Sequence, residues 1–142
     1  MTQEIKNRPY DEIAVGDKAT FTKTITRAEV LAFAELSGDV NPVHVDPDFA
    51  RQTAFGQQIA HGMLAASLIS TVIGTQLPGV NSIYLGQELK FTAPVFFGDT
   101  LTAEAEVIEK RDDKPNLKLR TTVTKQDGTS VVEGVAVIKK PR

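Results

Sequence analysis

Residues 63–76 constrain the fold of this chain more than any other segment, because the helix they predict is apolar on nearly every face. A helix of that kind is normally buried. The segment is too short, and too often interrupted by Ser, Thr, Gly and Gln, to cross a bilayer, which takes about 20 apolar residues. The rest of the chain is therefore expected to supply the elements that enclose this helix.

The elements that follow the helix are predicted to be β-strands, at residues 82–91, 100–110, 117–125 and 131–139. The second and third alternate apolar and polar side chains, as half-buried strands do. The fourth is apolar on both faces, as expected of a central strand. One apolar helix followed by an antiparallel meander predicts an α+β fold.

Length and composition narrow the possible classes of function. The 142 residues are expected to form one domain, residues 1–142, that buries a core without disulfides or metal. The formal net charge is −2 and there is no lysine or arginine run, so nucleic acid is not an expected partner. The absence of cysteine excludes thiolate nucleophiles and thiolate metal sites. No signal-like apolar run occurs near the N-terminus, so we expect a cytoplasmic protein with no membrane partner.

Residues 36–44, Leu-Ser-Gly-Asp-Val-Asn-Pro-Val-His, contain the groups best suited to catalysis. A capping-box pattern at Thr26 predicts the start of a helix, and Gly38 is well placed to end it. Asp39 then follows the helix end, and His44 lies five residues further on, across a rigid Asn-Pro turn. A carboxylate and an imidazole placed in this way can take a proton from water and deliver one to carbon.

Other polar or small residues near these groups have more than one interpretation. Gly62 begins the apolar helix, where its N–H could hold an oxygen that gains charge, or the glycine could simply be permissive backbone. Asn41 either bonds within its own turn or orients a water or Asp39. Ser70 is most simply a small packing residue, and His61 is expected to be structural.

The run Ser37-Gly-Asp-Val-Asn-Pro-Val-His44, with Ala50 behind it, resembles the hydratase-2 motif of the MaoC-like (R)-specific enoyl-CoA hydratases. That motif is a small residue, Gly or an acid, then Asp-x-Asn-Pro-hydrophobic-His, followed later by Ala. Segments 60–64, 83–87 and 91–95, together with Gly98 and Asp99, also match. The likeness covers about residues 10 to 139 and is greatest to the short hydratases of polyhydroxyalkanoate synthesis. It implies a hot-dog fold, in which an antiparallel sheet wraps around one long central helix.

The resemblance also implies roles for individual residues. Asp39 and His44 are implied to be the acid/base pair that hydrates trans-2-enoyl-CoA to (R)-3-hydroxyacyl-CoA, reversibly. The Gly62 amide is implied to bind the thioester oxygen, with the Ser70 hydroxyl near the pair. A homodimer is implied, with the pair near its interface. CoA enters as part of the substrate, and neither a separate cofactor nor a metal is expected.

Several questions stay open at the level of sequence. Leu64 and Leu68 could limit the acyl-chain length or could simply be core. Either Asp39 or His44 could be the base. The alternative functions are a 3-hydroxyacyl-carrier-protein dehydratase, a hot-dog acyl-CoA thioesterase and a non-catalytic acyl-CoA-binding module. The thioesterase needs no imidazole partner, and it would release free thiol.

Overall fold

The computed structural model describes residues 3–142, which form one sheet and four helices. A single 3-10 turn, Tyr10–Glu12, precedes the first strand. The helices are α1 (Arg27–Ser37), α2 (Pro42–Val45), α3 (Pro47–Arg51) and α4 (Gly62–Thr75). The strands are β1 (Lys18–Thr24), β2 (Ile83–Gln87), β3 (Lys90–Phe91), β4 (Thr100–Lys110), β5 (Asn116–Lys125) and β6 (Ser130–Lys139).

All the strands pair antiparallel, in the order β1-β4-β5-β6-β2, with β3 also paired to β6. Strand β6 lies between β5 and β2, so the prediction of a central strand at 131–139 is confirmed. The single strand predicted at 82–91 is wrong, because the chain divides there into β2 and β3. Between them the main chain of Glu88 passes so close to Gly134 that any side chain at position 134 would collide with its carbonyl oxygen.

Helix α4 is the centre of the hydrophobic core, as the apolar pattern of residues 63–76 predicts. It packs against strands β1, β4, β5 and β6, and six of its residues are buried. The inner sheet face is fully buried at alternate positions of β4 and β5, as the alternation in sequence predicts. One face of α4 is not covered by this chain, and it carries the exposed residues Met63, Ser67, Ser70 and Gly74.

The segment between α1 and α4 carries the candidate catalytic residues. Thr26 and Glu29 form the predicted capping box, and Gly38 ends α1 with a left-handed φ of 81°. The Asn-Pro turn predicted between Asp39 and His44 leads directly into the helical turn α2, which contains His44. Asn41 caps that turn by accepting a hydrogen bond from the Val43 N–H, which is the bonding within its own turn that sequence offered as one alternative.

The described residues 3–142 contain no helix with the length and apolar content needed to cross a membrane. Even the most apolar helix, α4, has only 14 residues. This length agrees with the position of α4 in the core, where the helix packs against four strands of the sheet.

A partly buried ion pair fixes the turn that leads into β4. The Asp99 carboxylate accepts hydrogen bonds from the Phe96 N–H at 2.9 Å and from Gln126 at 3.0 Å, and lies 3.1 Å from the Lys125 ammonium. Burial alone would raise the pKa of Asp99, but these bonds and the Lys125 charge outweigh it and hold the pKa below its ordinary value.

We expect Asp99→Asn to destabilise the fold at neutral pH by about 1–3 kcal/mol, because Lys125 loses its partner. A depressed folded-state pKa contributes stability above the unfolded-state pKa, and that contribution is lost as the pH falls through the folded-state value. The difference from the native chain should therefore shrink below about pH 4. Urea unfolding followed across this range measures it, and a difference independent of pH would contradict the assignment.

Candidate active site

A cavity of about 590 Å³ opens between the N-terminus of α4, helix α2 and the first residues of β6. Most of its wall is apolar and includes Phe55, Phe91 and Val131. The polar groups on the wall come from Asp39, His44, His61, Gly62 and Thr92. An apolar cavity with a few convergent polar groups is the usual form of a small-molecule site.

The structure brings Asp39 and His44 together at this cavity. A ligand atom of the Asp39 carboxylate and one of the His44 ring lie within 4.8 Å of each other. One water that bonds to both partners at about 2.8 Å, near the tetrahedral angle, spans about 4.5 Å. The two groups are therefore close enough for a single water molecule to lie between them.

The orientation of His44 follows from its main-chain partner. The ring is 8% exposed, and its Nδ1 lies 2.7 Å from the carbonyl oxygen of Ile59. A carbonyl oxygen can only accept, so this bond assigns the proton to Nδ1 and leaves a lone pair on Nε2. Gln58 donates to the His44 carbonyl oxygen at 2.7 Å and fixes the same turn from outside.

Asp39 lies on a short loop that is mostly held by its own hydrogen bonds. Its N–H donates to the Ser37 hydroxyl and its Oδ1 accepts from the Asn41 N–H, both at 3.2 Å. The residue is exposed in the single chain. Its carboxylate can therefore reach a bound water without a large change of conformation.

Gly62 is the first residue of α4, and its N–H has no acceptor among residues 3–142. The residue before it, His61, makes no side-chain cap to the helix. A Cβ at position 62 would lie 2.8 Å from the Phe91 ring, so a glycine is what lets that ring pack over the helix end. The amide is thus a free donor at the positive end of the helix dipole, as one interpretation of Gly62 requires.

Three residues considered in sequence do not reach the cavity in this chain. Ser70 is exposed on the uncovered face of α4, while Leu68 is buried in the core and Leu64 packs against it. The helix contributes Met63 and Ala65 to the wall instead. Leu64 and Leu68 thus take the core positions that sequence offered as one alternative, and a contact of either side chain with an acyl chain stays a prediction.

The contacts of His61 with the candidate catalytic residues were not predicted from the sequence. It is 2% exposed and stacks on His44, with ring centroids 3.9 Å apart and planes inclined by 28°. Its Nε2 lies 2.9 Å from the carbonyl oxygen of Asp39, to which it donates. The available signal was that both histidines of the chain fall in the two segments that carry the candidate catalytic groups.

The chemistry of this cluster fits a metal ion poorly. Asp39, His44 and His61 do offer ligand atoms within 4.8 Å of one another. Zinc needs ligands that converge on it at about 2.0–2.2 Å, whereas stacked rings direct their in-plane lone pairs along nearly parallel planes. One nitrogen of each ring also faces a main-chain oxygen. That no metal is required stays a prediction.

Comparison with known proteins identifies the class. Residues 12–129 match the MaoC like domain family, so the chain belongs to that family. Among its relatives, the (R)-specific enoyl-CoA hydratase of Aeromonas caviae is 54% identical over 129 residues, which is 91% of this chain and 96% of that protein.

Two solved structures have the same fold. One is the (R)-hydratase from A. caviae involved in PHA biosynthesis, with a TM-score of 0.88 at 54% identity, covering 91% of this chain and 98% of that one. The other is an R-hydratase from Pseudomonas aeruginosa in the unliganded form, with a TM-score of 0.93 at 47% identity, covering 99% and 90%. The MaoC-like resemblance and the hot-dog fold are thereby confirmed.

The hydrogen bonds predict opposite tautomers for the two histidines. His44 should carry its proton on Nδ1 and His61 on Nε2, since each of these atoms faces a carbonyl oxygen. Long-range ¹H–¹⁵N correlation spectra at alkaline pH, where imidazole rings are neutral, distinguish the two forms. The His44→Gln variant assigns the signals, and two rings of the same tautomer would contradict the geometry.

Proposed function

We propose that this chain catalyses the reversible, (R)-specific hydration of trans-2-enoyl-CoA to (R)-3-hydroxyacyl-CoA. The observation that carries the proposal is the Asp39 carboxylate within 4.8 Å of the His44 ring, on the wall of an apolar cavity that also holds the free Gly62 amide. The 54% identity to an (R)-specific enoyl-CoA hydratase supports it, since that likeness extends over 91% of the chain.

In the proposed reaction, Asp39 and His44 hold one water between them. The oxygen of that water forms a bond to C3, its proton passes to the pair, and the pair delivers a proton to C2. The lone pair on His44 Nε2 supports His44 as the acceptor of the water proton. A positioned acid or base of this kind contributes about 10²–10⁴-fold to the rate.

The negative charge that develops between these two events lies on the thioester oxygen as an enolate. The Gly62 N–H is proposed to donate to that oxygen, and such a donor is worth roughly 2.7–4 kcal/mol in the transition state. The acyl chain would contact the apolar wall, and CoA would enter as part of the substrate. A cytoplasmic location stays a prediction.

We further propose that the working form is a homodimer. Strand β2 is at the edge of the sheet, and Ile83, Tyr84 and Leu85 on it are between 39% and 52% exposed. An exposed apolar edge strand favours pairing with another chain. If the second copy also covers the open face of α4, it encloses the small residues there, which include Ser70. That arrangement is compatible with the implied place of Ser70 near the catalytic pair.

We expect Asp39→Asn and His44→Gln each to lower kcat by about 10²–10⁴-fold with the fold retained, because each removes one half of the proton relay. The measurement is the loss of the enoyl ultraviolet absorbance of crotonyl-CoA, with a thiol reagent run in parallel and chiral analysis of the product. Asp46→Asn is the matched control, since Asp46 caps α3 and Asn caps equally well.

The same assay separates the alternatives. Release of thiol by the native chain would identify a thioesterase. Reaction only with acyl chains on a carrier protein would identify a carrier-protein dehydratase. Near-native turnover of either variant would remove that residue from the catalytic pair.

For the dimer, we expect Leu85→Asp to increase the fraction of monomer, because the change places a charge on the exposed edge strand. Sedimentation equilibrium measures the shift in association. Val15→Asp is the control, since Val15 is similarly exposed but lies in the turn before β1. Equal association of the native chain and the Leu85 variant would exclude this edge as the interface.

A further inference from the structure

His61 makes a bond that the proposed reaction does not use directly. It occupies the N-cap position of α4, where a side chain normally accepts a hydrogen bond from the first turn of the helix. His61 makes no such bond, and its ring turns toward Asp39 and His44 instead. The residue therefore serves some purpose other than capping.

The bond from His61 to Asp39 joins two distant segments of the chain. The Nε2–H of His61 donates to the Asp39 carbonyl oxygen at 2.9 Å, across 22 positions of sequence. Every other hydrogen bond to residues 38–41 within the described chain comes from a residue between 34 and 44. Without His61, the loop that carries the Asp39 carboxylate would be held only by its own neighbours.

The same ring also packs against His44. The centroids of the His61 and His44 rings are 3.9 Å apart in a stacked arrangement. The ring of Phe33 on α1 also contacts His61, with centroids 4.8 Å apart and planes inclined by 55°. Since the Ile59 carbonyl oxygen holds His44 Nδ1, the stack limits the remaining freedom of that ring to tilt. One side chain thus contacts both members of the proposed pair.

Keeping a histidine at this position has a cost to stability. Its Nδ1 is buried and has no hydrogen-bond partner within residues 3–142. A buried polar atom without a partner is unfavourable, and an apolar side chain of similar size would avoid it. The hydrogen bond from the His61 Nε2–H to the Asp39 carbonyl oxygen, which an apolar side chain could not make, accounts for this cost.

We propose that His61 is a positioning residue, whose bond to the Asp39 main chain keeps that carboxylate at the distance from His44 that one water can bridge. This inference rests on the proposed hydratase function. It assigns His61 no contact with the substrate and no proton to transfer.

The test compares His61→Gln with His61→Met, two side chains of similar length of which only Gln has a donor that can reach the Asp39 oxygen. We expect kcat for crotonyl-CoA hydration to fall by about 10- to 100-fold in the Met variant, with KM changed by less than about three-fold, because a misplaced catalytic group affects the chemical step. The Gln variant should keep kcat within about three-fold of native. Similar losses in both variants, or a loss expressed mainly in KM, would overturn the proposal.

Amide hydrogen exchange of residues 38–41 supplies a readout that does not depend on activity. Exchange there should be faster in the Met variant and native-like in the Gln variant, even if the native chain does not hydrate crotonyl-CoA. Failure of the proposed function is thus seen in the native kinetics, and failure of the positioning role is seen as unchanged exchange in the Met variant.

A third variant keeps the test decisive if the Met variant does not fold. His61→Phe keeps an aromatic ring between Phe33 and His44 but has no donor. A folded Phe variant with slow turnover and fast exchange at residues 38–41 would support the proposal. If the Gln variant folds and neither the Met nor the Phe variant does, the bond is required for the fold, and the positioning role is overturned.

Discussion

Burial of α4 against the concave face of the sheet is the interaction on which the candidate site depends. The helix contributes Leu68, Ile69, Val72 and Ile73 to the core, each at most 5% exposed. Full burial of such a side chain contributes about 1.5–3 kcal/mol relative to leaving it in water. Because these contacts lie along the length of the helix, α4 cannot slide or rotate without losing several of them together.

The position of the free Gly62 amide is therefore fixed relative to the first residues of β6, which line the same cavity. A donor fixed before the substrate arrives needs no reorganisation during the reaction, which is what makes oxyanion stabilisation effective.

The N-terminal end of this helix departs from the rules that stabilise helices elsewhere in the chain. Helix α1 has a complete capping box, and α3 is capped by Asp46. Helix α4 is the longest and most buried helix of residues 3–142, yet its N-cap residue His61 makes no side-chain hydrogen bond to the first turn. The same residue buries a ring nitrogen with no partner. Local departures of this kind concentrate at functional sites, where the stability that they cost is offset by the rest of the fold. Here the apolar contacts of α4 supply the stability that the N-terminal end of the helix loses, so the core stabilises the site.

Sequence patterns predicted the elements whose signals are local or periodic. The capping box at Thr26, the left-handed end at Gly38 and the alternation along β4 and β5 each depend on neighbouring residues only, and each is found as expected. The break between β2 and β3 was missed because it depends on the close passage of Glu88 over Gly134, which lies on a strand far along the chain. Asp39 and His44 could be paired from sequence, since a short rigid turn joins them. The connection of His61 to Asp39 could not, because it spans 22 positions and exists only once α4 is packed.

The geometry of a single chain also indicates where the proposed site is incomplete. Proton transfer to carbon is most effective where water is excluded, because electrostatic interactions weaken in a high dielectric. His44 meets that requirement, with 8% exposure, whereas Asp39 is open to solvent. The uncovered face of α4 lies on the same helix that supplies Gly62, and its exposed residues Ser67, Ser70 and Gly74 are small enough to allow close approach of another surface. A second copy seated there would shield both the helix face and the open side of the site. In the proposed homodimer, association and catalysis would therefore be coupled, because the exposed face of α4 includes Met63, which also lines the cavity of the candidate site.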